Sequence, residues 1–154
     1  MDKEDFALLE AEIRERHQVV QGIYERIKKR QSTFQDTSEG VDSMAYQIHN
    51  LYGAYEELFE TVAGFFENRI EGVRYNADLL RRMKMEIEGI RPALLSRSTY
   101  TSLDELRRFR HLFRHAYGME LDTERIARIG QVALQLEEPF RQDMERFLTA
   151  LRPI

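Results

Sequence analysis

Cysteine is absent from the 154 residues, which removes disulfides, thiolate catalysis and cysteine-type zinc clusters together. Proline is nearly absent, with Pro92, Pro139 and Pro153 the only three, and no stretch alternates apolar and polar residues long enough to suggest a sheet. No apolar run approaches the ~20 residues a membrane-spanning helix needs. The run Met1-Asp2-Lys3-Glu4-Asp5 lacks the pattern of a signal peptide, so the expectation is a cytoplasmic protein with no membrane partner. Excess basic charge is missing too. A formal net charge of −4 argues against indiscriminate coating of nucleic acid, and any RNA contact should be local. The four histidines, His17, His49, His111 and His115, make no convincing metal set. His111 and His115 are spaced to share a helix face, but their neighbours are arginines, which oppose a divalent cation and favour an anion. Neither a metal nor any other cofactor is expected.

What is present suits one soluble helical domain spanning 1–154. Hydrophobic residues make up 42% and charged ones 32%, too apolar for disorder and enough for a real core. Phe6, Ile13, Val20, Ile27 and Phe34 recur every seventh residue, with Leu9 and Ile23 beside them, and predict a long amphipathic helix from Lys3 to Phe34. Asp36 followed by Glu39 is a capping-box match for a second helix running to about Ile70, with Val41, Met44, Ile48, Leu51, Tyr55, Leu58, Val62 and Phe65 in phase. Tyr52, Phe59 and Phe66 widen its stripe, which reads as core. After a break at Glu71–Asn76, Ala77, Leu80, Met83 and Ile87 mark a shorter helix ended by Gly89 and Pro92. Ser102 and Glu105 form a second capping-box match, and Gly118 can supply the left-handed stop. Asp122 then caps a last helix whose apolar positions stay in phase through Pro139, as a kink rather than two helices. The fold class predicted is all-α, an antiparallel up-and-down bundle of four to five helices.

The stretch Arg110-His111-Leu112-Phe113-Arg114-His115-Ala116-Tyr117 carries the chemistry. A guanidinium stabilises charge growing on a phosphate, and an imidazole passes protons near neutral pH. Those are the two parts that metal-free RNA cleavage requires. A bare Arg-x-x-x-x-His pair is expected by chance roughly half the time in such a chain, so the pair alone is weak. A tyrosine two residues on, late in a capped helix, makes the string much more specific. At about 100° per residue, Leu106, Phe109, Leu112, Phe113 and Ala116 form a buried arc. Arg110, Arg114 and Tyr117 form a second stripe and His111 with His115 a third, an anion-binding face. Arg110 and His115 stand about 140° apart around a straight helix and need help to cooperate. A distortion near the helix end would serve, as would a second copy of the helix across a two-fold axis, the favoured alternative. The bland account is a solvated face whose arginines pair with nearby Glu and Asp.

The spacing Arg-x-x-x-x-His-x-Tyr resembles the signature of HEPN-domain ribonucleases, in particular HepT-like toxins. The likeness extends over roughly residues 42 to 150: His49-Asn50-Leu51-Tyr52 with Glu56 and Phe59, Leu79-Leu80-x-x-Met83, Arg91-Pro92-Ala93, and Leu103 through His111 to Leu121-Asp122. The resemblance implies a homodimeric HEPN-like bundle that cuts RNA without a metal, with Arg110 and His115 catalytic and with His111 and Arg114 helping to grip RNA. It further implies a partner, a minimal nucleotidyltransferase antitoxin (MntA-like), that adds AMP to Tyr117. Bulk and negative charge placed there would block the cleft to RNA. Tyr117 also has a plain reading as a packing anchor at a helix end. Glu56 and Tyr52 can line the cleft, but a polar residue on a bundle helix is usually surface, and neither is placed in the catalytic set. Two rival functions are a non-catalytic HEPN subunit that binds nucleotide or presents substrate to a nucleotidyltransferase, and a purely structural bundle.

Overall fold

A computed structural model describes residues 1–67, 75–115, 118 and 120–154, with backbone alone at 75 and 76. Among these residues it holds five α-helices and no strand: α1 (Lys3–Arg30), α2 (Ser38–Phe66), α3 (Tyr75–Met83), α4 (Arg97–Arg114) and α5 (Thr123–Leu151). No helix among the described residues is long and apolar enough to cross a membrane.

The helices begin where a side chain can take an unpaired backbone N–H. Asp2 accepts from the Asp5 amide at 2.8 Å, and Asp122 caps α5, as expected, by accepting from the Glu124 amide at 3.0 Å. Two predicted starts move. Asp36 is the end of a single 3₁₀ turn, Phe34–Asp36, so the extended Thr37 becomes the cap of α2, accepting from the Gly40 amide at 3.0 Å. α1 accordingly stops at Arg30 rather than Phe34, and Phe34 reaches the core from the turn. Gly40 is required there, because a Cβ would lie 2.5 Å from the Phe34 carbonyl oxygen. The second change is at α4, capped by Ser96 and not Ser102. Asp143 of α5 accepts from both the Ser96 amide (2.8 Å) and its hydroxyl (3.0 Å), which fixes the start six residues early.

α3 ends at Met83, short of Ile87, because Ile87 and Arg91 pair across a tight turn in which Gly89 takes φ 77°. The buried Arg91 guanidinium holds that turn. It donates to Glu67 at the end of α2, to the carbonyl oxygens of Met85 and Pro92, and to that of Arg82, the last three at 3.0 Å. The predicted end of α2 near Ile70 lies outside the described residues.

α2 is the central helix, packed by α1, α4 and α5. Pairs such as Arg30–Ser43, Glu56–Arg110 and Tyr24–Ala133 run opposite α1 to α2, α2 to α4 and α1 to α5, the up-and-down arrangement expected. The predicted seventh-residue row of α1 is buried throughout, as are Val41 to Val62 of α2 and Ile126 to Phe147 of α5. Each such side chain contributes about 1.5–3 kcal/mol of burial. α5 passes Pro139 as one helix. At the centre Tyr24 donates to the Ala133 carbonyl at 2.8 Å, so Tyr55 must be the donor in the 2.7 Å bond between the two phenols. This joins α1, α2 and α5 in the dry core, where burial pushes both phenol pKa values up.

Candidate functional site

α4 packs on a face made of Thr99, Leu103, Leu106, Phe109 and Arg110. That arc is rotated from the predicted one. Leu112 is 42% exposed, while Arg110, expected on an open cation row, is 3% exposed. The reason lies on α2, where Tyr52, Gly53 and Glu56 fall on one face at helical spacing. Arg110 Nη1 donates to Glu56 Oε1 at 3.2 Å and Nη2 to Oε2 at 2.9 Å, a bidentate pair. Its Cζ lies 4.7 Å from the Tyr52 ring centroid. Gly53 lies beside the guanidinium, where a Cβ would stand in ordinary contact, 3.8 Å from Arg110 Nη1. Glu56 thus replaces the water that a buried cation loses.

His49 lies further along the same face of α2, its ring edge-on to Phe113 with centroids 5.2 Å apart. Its Nδ1 is buried without a hydrogen-bond partner among the described residues. Burial, reinforced by the charges of Arg110 and Arg114, pushes the His49 pKa down and keeps the imidazole neutral. Tyr52 is pushed the other way, by burial and then by Glu56, against the opposing pull of Arg110.

Arg110 and Arg114 share a groove of about 470 Å³ between α1, α2 and α4, with His49 and Gly53 on its lining. Glu56, Glu57 and Glu60 line it as well, so three carboxylates face two guanidinium groups. The predicted anion-binding face is not cationic on this side.

The histidine row lies elsewhere. α4 ends at Arg114, and His115 is its C-cap at φ −109°, ψ 11°, outside helical geometry. The helix end does not bring the His115 imidazole to Arg110, which lines a different recess. The exposed rings of His111 and His115 stand 4.7 Å apart, centroid to centroid. His115 borders an apolar recess of about 170 Å³ with Phe109, Leu112, Phe113, Leu121 and Ile126. Within one chain, therefore, Arg110 and Arg114 share the α2-side groove and His111 and His115 stand together, but His115 borders a different recess and His111 lines neither. Gly118 takes φ 70°, the left-handed conformation predicted for it, but it is not the helix stop, since α4 already ends at Arg114. Tyr117 lies outside the described residues.

Glu56, Tyr52 and His49 were visible in the sequence as polar and aromatic positions three and four apart on α2. Their partner was not, because a bidentate ion pair across two helices has no signature in either helix alone.

No curated protein and no solved structure matches this chain. A family model described as HepT-like protein does match, over residues 43–151. That span begins within the first turns of α2 and ends on the last residue of α5, taking in every helix but α1. With most of its length matched, this all-α chain belongs to the HepT-like family of HEPN-domain proteins.

Proposed function

We propose that this protein is a metal-independent endoribonuclease toxin of a toxin–antitoxin pair, acting as one domain over its whole length and as a homodimer. The observation that carries the reading is the exposed imidazole of His115 on the cap residue of α4, just over one turn beyond a guanidinium that Glu56 holds in place. Because Arg110 and His115 open onto different recesses of one chain, a second copy across a two-fold axis would supply the missing partner from its own α4. In the composite cleft a ribose 2′-oxygen attacks the adjacent phosphorus, its proton leaves to a base, and the 5′-oxygen departs with a proton, giving a 2′,3′-cyclic phosphate. His115 carries a proton, and Arg110 balances charge on the non-bridging oxygens. His111 and Arg114 grip the RNA on either side.

AMP addition to Tyr117 by a cognate minimal nucleotidyltransferase antitoxin would silence such a cleft. Incubation with cellular RNA tests the enzyme: cleavage is expected from the wild type and not from His115→Ala, with the circular dichroism of the two alike. Equal cutting by both, or none by either, overturns it. Treatment with the partner and ATP should add one AMP to the wild type, not to Tyr117→Phe, and abolish cleavage.

One observation favours a second reading. Arg110 is buried and engaged by Glu56, which withholds it from a scissile phosphate and suits a non-catalytic subunit, one that binds nucleotide or presents substrate to a nucleotidyltransferase. That reading predicts saturable nucleotide binding dependent on Arg110 and Arg114, without turnover of RNA.

A further inference from the structure

We propose that the recess between α4 and α5, on the opposite side of α4 from Glu56, is the docking site for the phosphates of single-stranded RNA flanking the cut. That these phosphates flank a cut rests on the ribonuclease reading; the RNA contact does not. The recess measures about 350 Å³ and is walled by Arg108, Arg125 and Arg128, with Glu105 beside them. Its floor is the edges of Phe109 and Ile129. Volume at the lower end of the ~300–1,000 Å³ range for small-ligand sites fits one nucleotide unit, with sugar and base on the apolar floor and phosphate at the rim. Three guanidinium groups against one carboxylate reverse the balance of the α2-side groove, where two face three.

The state of these arginines suits a transient anion. Arg125 is exposed and forms no hydrogen bond or ion pair among the described residues, although it sits in the first turn of α5, where the helix dipole disfavours a cation. Arg108 reaches Asp104 at 2.7 Å and Arg128 reaches Glu105 at 3.6 Å, with the arginine side chains 72% and 66% exposed. Exposed pairs of this kind are weak and exchange readily for a phosphate. Phe109 and Arg125 border both this recess and the one beside His115, so the two adjoin, with Glu120 and Asp122 also lining the second.

The test is fluorescence anisotropy with an end-labelled single-stranded RNA, in a His115→Ala background that keeps the probe intact. Replacing both Arg125→Gln and Arg128→Gln should weaken binding at least tenfold and lower the salt slope, log K against log [salt], by about 1.4 for two lost phosphate contacts. The matched control Arg16→Gln with Arg141→Gln makes the same change in net charge on other faces and should move neither. With His115 restored, the recess variant should raise KM for RNA and leave kcat unchanged. Unaltered affinity and slope overturn the proposal. So does loss of ATP binding with RNA binding intact, which would make the recess a free-nucleotide site, or a change of oligomeric state with RNA affinity intact, which would make it a subunit contact. If the wild type binds RNA through these arginines but cuts nothing, the ribonuclease reading fails and the docking site stands.

Discussion

The two sides of α4 use the same residue type for opposite ends. Toward α2, Arg110 is buried, gripped at two points by one carboxylate and laid against an aromatic ring. Toward α5, Arg108 and Arg128 make single contacts from long exposed stems, and Arg125 makes none among the described residues. Burial decides the difference. A desolvated cation must be matched by a fixed counter-charge, whereas a hydrated one can hold or release a partner at little cost. The first kind of arginine sets the position of a helix and its end; the second kind is available to a charged ligand.

The largest expected effect tests the buried side. Arg110→Ala removes both hydrogen bonds that the part-buried Glu56 carboxylate accepts from the guanidinium, and stability in a denaturant titration should fall by about 3 kcal/mol. Adding Glu56→Ala to it should recover part of the loss, since the carboxylate that lost those bonds is then gone as well. Arg108→Ala on the open side should stay within about 0.5 kcal/mol of the wild type. Similar losses on both sides would break the comparison.

Next in size is the anchor that aims α4. Asp143 is 4% exposed and takes both the amide and the hydroxyl of Ser96. Asp143→Ala should cost about 1–2 kcal/mol and fray the start of α4, seen as faster amide exchange over its first turn. The two recesses beside the distal half of the helix should respond less, because Arg110 holds that half independently. Fast exchange spreading to Phe109 would mean that the ion pair is not a separate anchor.

A smaller effect is electrostatic. His17 and His49 both have pKa values pushed down, in each case first by burial. The unfolded chain binds a proton near pH 6.5 where the fold resists it, so stability should fall as pH drops through about 6.5 toward the folded values. Replacing His17→Gln with His49→Gln should flatten that slope. Arg114→Gln removes one of the two cations that depress His49 and should raise its titration midpoint by NMR. Arg128→Gln, on the other side of α4, should not. A midpoint that responds equally to both would mean that the two sides are not electrostatically separate.

How much of this could be read beforehand depended on whether the signal was periodic. The row Phe6 to Phe34 and the phased stripes of α2 and α5 named the core because burial repeats with the helix. Cap positions were less legible. Asp36 and Ser102 satisfy a local pattern, but the real starts were chosen by Phe34 closing on Gly40 and by Asp143 reaching across from α5. The string Arg110 to His115 was legible as a string. Its division between two recesses was not, since the inward turn of Arg110 is set by Glu56, 54 residues away in sequence. A wheel drawn from α4 alone naturally places arginine outside and Leu112 inside, the reverse of what the partner helix imposes.

The smallest effect is also the sharpest on that last point. Gly53 sits inside α2, where a glycine is less favourable than alanine by roughly 0.5–1 kcal/mol. Its added Cβ would meet Arg110 Nη1 at 3.8 Å, an ordinary contact, so Gly53→Ala should stabilise the fold by up to that amount. Gly53→Leu would instead fill the approach to the guanidinium from the α2-side groove. If RNA reaches Arg110 by that route, the alanine variant should cleave within twofold of the wild type while the leucine variant loses activity, with RNA affinity falling by no more than the share that Arg114 supplies in the same groove. Equal cleavage by all three would leave Arg110 as a purely structural arginine and His115 as the sole reacting group of the motif, removing the chemical half of the contrast and keeping the architectural one.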